Sequence, residues 1–159
     1  MTERPVTETG IFSRSGFSDP SKSAEFIKTL KADINHELLI DDLSKVADPD
    51  NALLLLVRIA DQDNKNLDKV LKDNDARLRL LQVLGSSIGL GEHLVAYPED
   101  VLVFLEESAI SKAGSKDELI QVFTTASKTS RANLVREYRK VLVGLASRDI
   151  CYPVLSLRH

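Results

Sequence analysis

The chain has 159 residues, 43% of them hydrophobic and 28% charged, the balance of one globular domain long enough to bury a core without a disulfide or metal staple. Its 21 Lys and Arg against 24 Asp and Glu leave a formal charge of −3, which reads against a nucleic-acid partner unless a basic patch is concentrated locally. A single cysteine, Cys151, a polar start at Thr2-Glu3-Arg4 and no apolar run of about 18 residues together suit the cytoplasm, with no disulfide framework, signal peptide or membrane span.

Residues 1–17, rich in Thr, Ser, Gly and Arg with scattered apolar positions, read as a flexible, disordered N-terminal arm. A helical domain is expected over 18–150. Asp19-Pro20 opens its first helix: the carboxylate accepts from orphan backbone donors, and proline suits the first helical position because its missing N–H has no partner there anyway. Phe26, Ile27, Leu30 and Ile34 follow at helical spacing. Asp48-Pro49 repeats the start signal ahead of Leu53 to Val57, Ile59 and Ala60, a run apolar on nearly every side whose leucine richness and length predict a central helix rather than a strand. Lys65 to Leu71 is a short polar helix or turn with Leu67, Val70 and Leu71 on one side.

Asn74 or Asp75 is expected to cap the next segment, with Leu80, Leu81, Leu84 and Ile88 as its stripe. Gly85, Gly89 and Gly91 then bend or stop the helix. Pro98 starts another, with Val101, Leu102 and Leu105 inward, and Ser115 to Glu118 has the spacing of a capping box ahead of Leu119, Val122 and Phe123. Leu134, Val135, Tyr138, Val141, Leu142 and Leu145 then form a one-sided helix. No strand-like alternation with a hairpin turn appears, so the predicted class is all-α, an irregular bundle of about six to seven helices without internal repeats.

Candidate chemistry is sparse. Gly85 to Gly91 superficially resembles a phosphate cradle, but Glu92 and His93 follow where a P-loop has Lys and Ser or Thr, and close helix packing is the preferred reading. His36, His93 and His159 are far apart without metal-ligand spacing. Cys151 has no evident activating base. Asp48/Asp50 and Asp61/Asp63 have the spacing by which nucleotidyltransferases hold magnesium, yet they sit at a helix start and a helix exit rather than on a strand. Arg131, Arg136, Arg139, Lys140 and Arg148 give the last helix a basic polar face, read as solvated and balanced by Glu137 and Asp149 because no aromatic residues are interleaved for base stacking. No residue is assigned as catalytic, cofactor-binding or metal-binding.

Four blocks in order carry a family resemblance: Arg14 to Pro20 (RSGFSDP), Ala47 to Arg58 (ADPDNALLLLVR), Leu81 to Pro98 (LQVLGSSIGLGEHLVAYP) and the helix Leu134 to Ile150. They resemble the amino-terminal helical part of the adenylyl-removing half of the bifunctional glutamine synthetase adenylyltransferase/adenylyl-removing enzyme, in its actinobacterial form. The resemblance implies a nitrogen-regulatory enzyme whose two nucleotidyltransferase domains, using ATP or phosphate and magnesium, add AMP to and remove it from a glutamine synthetase tyrosine. It also implies glutamine synthetase and a nitrogen-regulatory signalling protein as partners. The family's catalytic Gly-Ser turn and acidic pair follow the last of these helices. Here residues 151–159 (CYPVLSLRH) depart from the pattern and read as a non-family tail whose Pro153 ends the helix, as in a truncated or frame-shifted reading frame. The expectation is a helical lead-in, inactive by itself, that leaves Leu142 and Leu145 uncovered. The alternative is a non-catalytic helical protein-interaction module, and a small nucleic-acid-binding domain ranks below both.

Overall fold

The computed structural model describes residues 8–106 and 116–155, and among them every regular element is a helix. In chain order these are α1 (Glu8–Arg14), α2 (Pro20–Thr29), α3 (His36–Leu43), α4 (Pro49–Gln62), α5 (Asn64–Lys72), α6 (Asn74–Ser86), α7 (Ile88–Ala96), a 3-10 helix (Pro98–Leu105), α8 (Lys116–Thr129) and α9 (Arg131–Leu155). The all-α class is as expected, but the described helices outnumber the six or seven read from periodicity because α1 and α3 carry no long apolar stripe and Ser87 divides α7 from α6. Asp63, Asp73 and Ser87 each end one helix and cap the next, their side chains accepting from the backbone N–H of Asn66, Ala76 and Leu90. Ser130 joins α8 to α9 with the same bond, from Asn133 N–H.

The two Asp-Pro starts form as the sequence predicts. Asp19 accepts from Lys22 N–H at 3.1 Å and Asp48 from Asn51 N–H at 2.9 Å. The central helix is α4, which contacts α2, α3, α5, α6 and α7 and buries Leu53, Leu55, Leu56, Val57, Ile59 and Ala60. Against it lie Leu67, Val70 and Leu71 of α5 and Leu80, Leu81, Val83 and Leu84 of α6, all at most 1% exposed. Burial of this many large side chains, each contributing about 1.5–3 kcal/mol relative to exposure, supplies the cohesion.

Several local expectations are corrected. Part of the expected arm is structured: Glu8–Arg14 is helical, and the chain reverses at Gly16 (φ +80°), a left-handed conformation that favours glycine. That turn brings Phe12 and Phe17 together edge to face at 4.8 Å, both buried. Neither belongs to a helical stripe, so periodicity misses them. Residues 1–7 lie outside the described part. The cap of α6 is Asp73 rather than Asn74 or Asp75. Ile88 is 65% exposed because the helix ends at Ser86 and a new one begins at Ile88, resetting the phase of the predicted stripe. After Pro98 the chain forms a 3-10 helix, whose three-residue turn aligns Val101 and Phe104 inward and turns Leu105 out. Helix α3, capped by the Asn35 side chain on Leu38 N–H, is absent from the sequence reading. Ser115 of the expected capping box lies outside the described residues.

Helix α9 is placed against α6, α7, the 3-10 helix and α8. Its most deeply buried described positions are Val143 and Ser147, whereas Val135 and Tyr138 are 43% and 53% exposed. The apolar stripe read from the sequence is therefore not the face that meets the core; that face carries small and charged residues. Helix α9 also continues through Pro153 to Leu155 rather than ending at the proline.

Candidate functional site

The densest polar constellation lies where α7, the 3-10 helix and α9 meet. His93 enters because Ser87 restarts the helix at Ile88 and sets the phase of α7, and Asp100 because Pro98 starts the 3-10 turn. His93 Nε2 is 2.9 Å from Asp100 Oδ2, with side chains 0% and 2% exposed. The other oxygen, Asp100 Oδ1, faces the Arg136 guanidinium at 3.5 Å and the Lys140 ammonium at 4.0 Å, both from α9. Arg136 also donates to Glu99 and lies over the Tyr97 ring, 4.5 Å from its centroid. With Nε2 donating to the carboxylate, His93 Nδ1 stays buried without a hydrogen-bond partner, as does Arg136 Nε. The imidazole has no solvent-facing edge, and the ion pairs of Asp100 with Arg136 and Lys140 tie α9 to the bundle. The basic face of the last helix is thus divided: Arg136 and Lys140 turn onto Asp100, Arg148 pairs with Asp149 at 3.1 Å, and Arg131 and Arg139 remain exposed.

The acidic pairs are committed to the fold. Asp48 caps α4, while Asp50 accepts from Ser18 N–H at 2.7 Å and from Ser23 Oγ at 2.9 Å. Asp61 pairs with Lys31 at 2.8 Å, and Asp63 caps α5 and accepts from Asn66 Nδ2. Among the described residues no group of three or more His, Cys, Asp or Glu is placed to hold a metal ion. A magnesium ion would have to compete with these bonds, so the carboxylates do not fit one.

The glycines are packing residues where space is short. A Cβ on Gly85 would lie 2.8 Å from Val46 Cγ2, and one on Gly91 would collide with Leu55, whereas Gly89 faces open space. Beside them Glu92 pairs with Arg58, joining α7 to α4, and the hydrogen bonds from that guanidinium hold the Glu92 carboxyl below its ordinary range. His36 is exposed at the start of α3. The Cys151 side chain and His159 lie outside the described part.

Two buried arginines that composition did not single out are also structural. Arg77 Nε binds Asp42 Oδ2 at 2.8 Å, Nη1 donates to Leu71 O at 3.0 Å, and Nη2 to Asn74 Oδ1 at 2.6 Å. Arg79 donates to Phe104 O at 2.6 Å, where the 3-10 helix ends. The only sequence signal for either was a charge inside an otherwise apolar stripe of α6.

The α8/α9 hairpin carries four exposed large apolar side chains, Ile120, Val122, Val135 and Tyr138. One side holds a cleft of about 460 Å³ that includes Val122, Thr125, Thr129, Asn133 and Glu137. Ile120, Val135 and Tyr138 are exposed on the hairpin, with Tyr138 and Phe123 rings 6.1 Å apart across it.

No family model matches the chain, and no solved structure matches it. It is similar over most of its length to bifunctional glutamine synthetase adenylyltransferase/adenylyl-removing enzymes of actinobacteria, as the sequence blocks indicated. The enzyme of Streptomyces avermitilis is 34% identical over 163 aligned residues, covering 92% of this chain and 16% of the relative. That of Mycobacterium avium is 34% identical over 96% of this chain and 16% of its own length. That of Mycolicibacterium smegmatis is 39% identical over 62% of this chain and 10% of its own length. The chain spans about one sixth of the first two of these relatives.

Proposed function

We propose that this chain is the helical part, on the amino-terminal side, of the adenylyl-removing half of a bifunctional glutamine synthetase adenylyltransferase/adenylyl-removing enzyme. On this reading it acts in the cytoplasm as a scaffold and carries no phosphoryl chemistry itself. The observation that carries the proposal is the similarity to the Streptomyces avermitilis enzyme over 92% of this chain. Supporting it, the acidic pairs are occupied as caps and hydrogen-bond acceptors, and the His93–Asp100 pair is sealed from solvent. Phosphoryl transfer depends on positioned charge around the transferring group. The magnesium, ATP and phosphate of the reaction are then met by segments the relatives have beyond the shared sixth.

The test is to incubate the purified chain with adenylylated glutamine synthetase, phosphate and magnesium and to measure ADP. No release above the protein-free rate is expected, and turnover would overturn the scaffold role. A second reading, a module that binds glutamine synthetase or a nitrogen-regulatory signalling protein, is favoured by the exposed side chains of the α8/α9 hairpin. Retention of the chain on immobilised glutamine synthetase at low salt supports it; passage through the column removes it.

A further inference from the structure

The exposed side of α9 has an order of its own. At 100° per residue, Arg131, Val135, Tyr138, Leu142, Leu145 and Asp149 fall within one sector of the helix about 80° wide, roughly 80–160° around from the core-facing Val143. Arg131 is exposed, Val135 and Tyr138 are about half exposed, Leu142 and Leu145 are half-buried, and the Asp149 side chain is 68% exposed. The steps between them, 4, 3, 4, 3 and 4, are those of a coiled-coil seam. They read the same from either end. The charge does not: the seam begins with a cation and ends with an anion.

An apolar seam with symmetric spacing and opposite terminal charges is complementary to itself run backwards. We propose that the chain forms a two-fold homodimer through this seam, α9 packing antiparallel to α9 of a second copy. Tyr138 then faces the partner's Leu142, Val135 its Leu145, and Arg131 its Asp149, each contact occurring twice as an isologous interface requires. Ile120 of α8, 51% exposed beside the Phe123–Tyr138 contact, borders the seam and widens the apolar area. The exposed Arg139 comes near its own copy at the solvent rim, a small cost at the dielectric of water. A parallel pairing would set Arg131 against Arg131 and Asp149 against Asp149, so the charges select the antiparallel arrangement.

This proposal does not rest on the adenylyl-removing reading. Sedimentation equilibrium from about 1 to 200 µM is expected to show the mass rising from 17.6 kDa toward twice that value. Tyr138→Glu, which places a charge in the seam, should weaken association at least tenfold. Arg131→Asp and Asp149→Arg, both at exposed positions that leave the fold intact, should each weaken it several-fold, and the double variant should recover it. Circular dichroism checks that helicity is unchanged. A monomer at every concentration overturns the proposal. So does a dimer indifferent to all three single variants, or a double variant no better than the singles. A monomer that glutamine synthetase captures, with capture lost in Tyr138→Glu, also overturns it and assigns the face to that protein.

Discussion

Arg77→Ala tests whether the interior of the bundle is held by charge as well as by leucine. The guanidinium is 5% exposed and bonds three groups from three places: Asp42 of α3, the Leu71 carbonyl near the end of α5, and Asn74 at the start of α6. Removing it leaves the Asp42 carboxylate, also 5% exposed, with Lys45 at 3.4 Å as its remaining cation, and leaves the Leu71 carbonyl without this donor. Removing the buried partner of a desolvated charge costs about 3–5 kcal/mol, and the half-exposed Lys45 offsets only part of it. That is a large share of the roughly 5–15 kcal/mol by which a domain is stable. For a chain of this length it corresponds to a fall in Tm of roughly 6–20 °C. Urea denaturation followed by circular dichroism should show the midpoint falling with the slope unchanged. The double variant Asp42→Leu/Arg77→Met removes both charges and should recover most of the loss, because a desolvated pair adds little net stability over apolar groups of similar volume. A loss below about 1 kcal/mol for Arg77→Ala, or a double variant as unstable as the single one, would refute this account.

The glycines of α7 should respond in opposite directions. Gly91→Ala drives a methyl into Leu55 of α4 and is expected to cost about 1–3 kcal/mol, whereas Gly89→Ala meets open space and should gain up to about 1 kcal/mol of helix propensity; thermal melts that rank the two alike would contradict the packing assignment. Because the Arg58 hydrogen bonds hold Glu92 below the ordinary carboxyl range, the pair stabilises the fold above the unfolded value of about 4.3 and loses that contribution as pH falls through the lowered folded value. Glu92→Gln should therefore be less stable than the parent near neutrality and converge with it in acid, a comparison that urea titrations at a series of pH values can make.

The features legible in the sequence were those decided within a few residues. Asp19-Pro20 and Asp48-Pro49 act on their own first turns, and both helices begin where those signals stand. The apolar run of α4 is buried at Leu53, Leu55, Leu56, Val57, Ile59 and Ala60, with Leu54 alone of its leucines turned out. What escaped was set by distant chain. Nothing near Arg77 or Arg79 announces that their partners are Asp42 and the Phe104 carbonyl, 35 and 25 residues away. The stripe of α9 is apolar as read, yet the face that turns inward carries Val143 together with Arg136 and Lys140, which meet Asp100 from distant chain. The burial of His93 against Asp100 needed the 3-10 turn, which a 3.6-residue period does not anticipate.

The one-residue joints at Asp63, Asp73, Ser87 and Ser130 leave the backbone nothing to absorb a change in length. Each joint fixes the direction of the next rod through one cap bond, with extended backbone at Asp63, Asp73 and Ser87. An inserted residue at any of them would rotate everything downstream by about 100° relative to the core. The run from Pro49 to Ala96 therefore holds no slack in which a changed length could be absorbed.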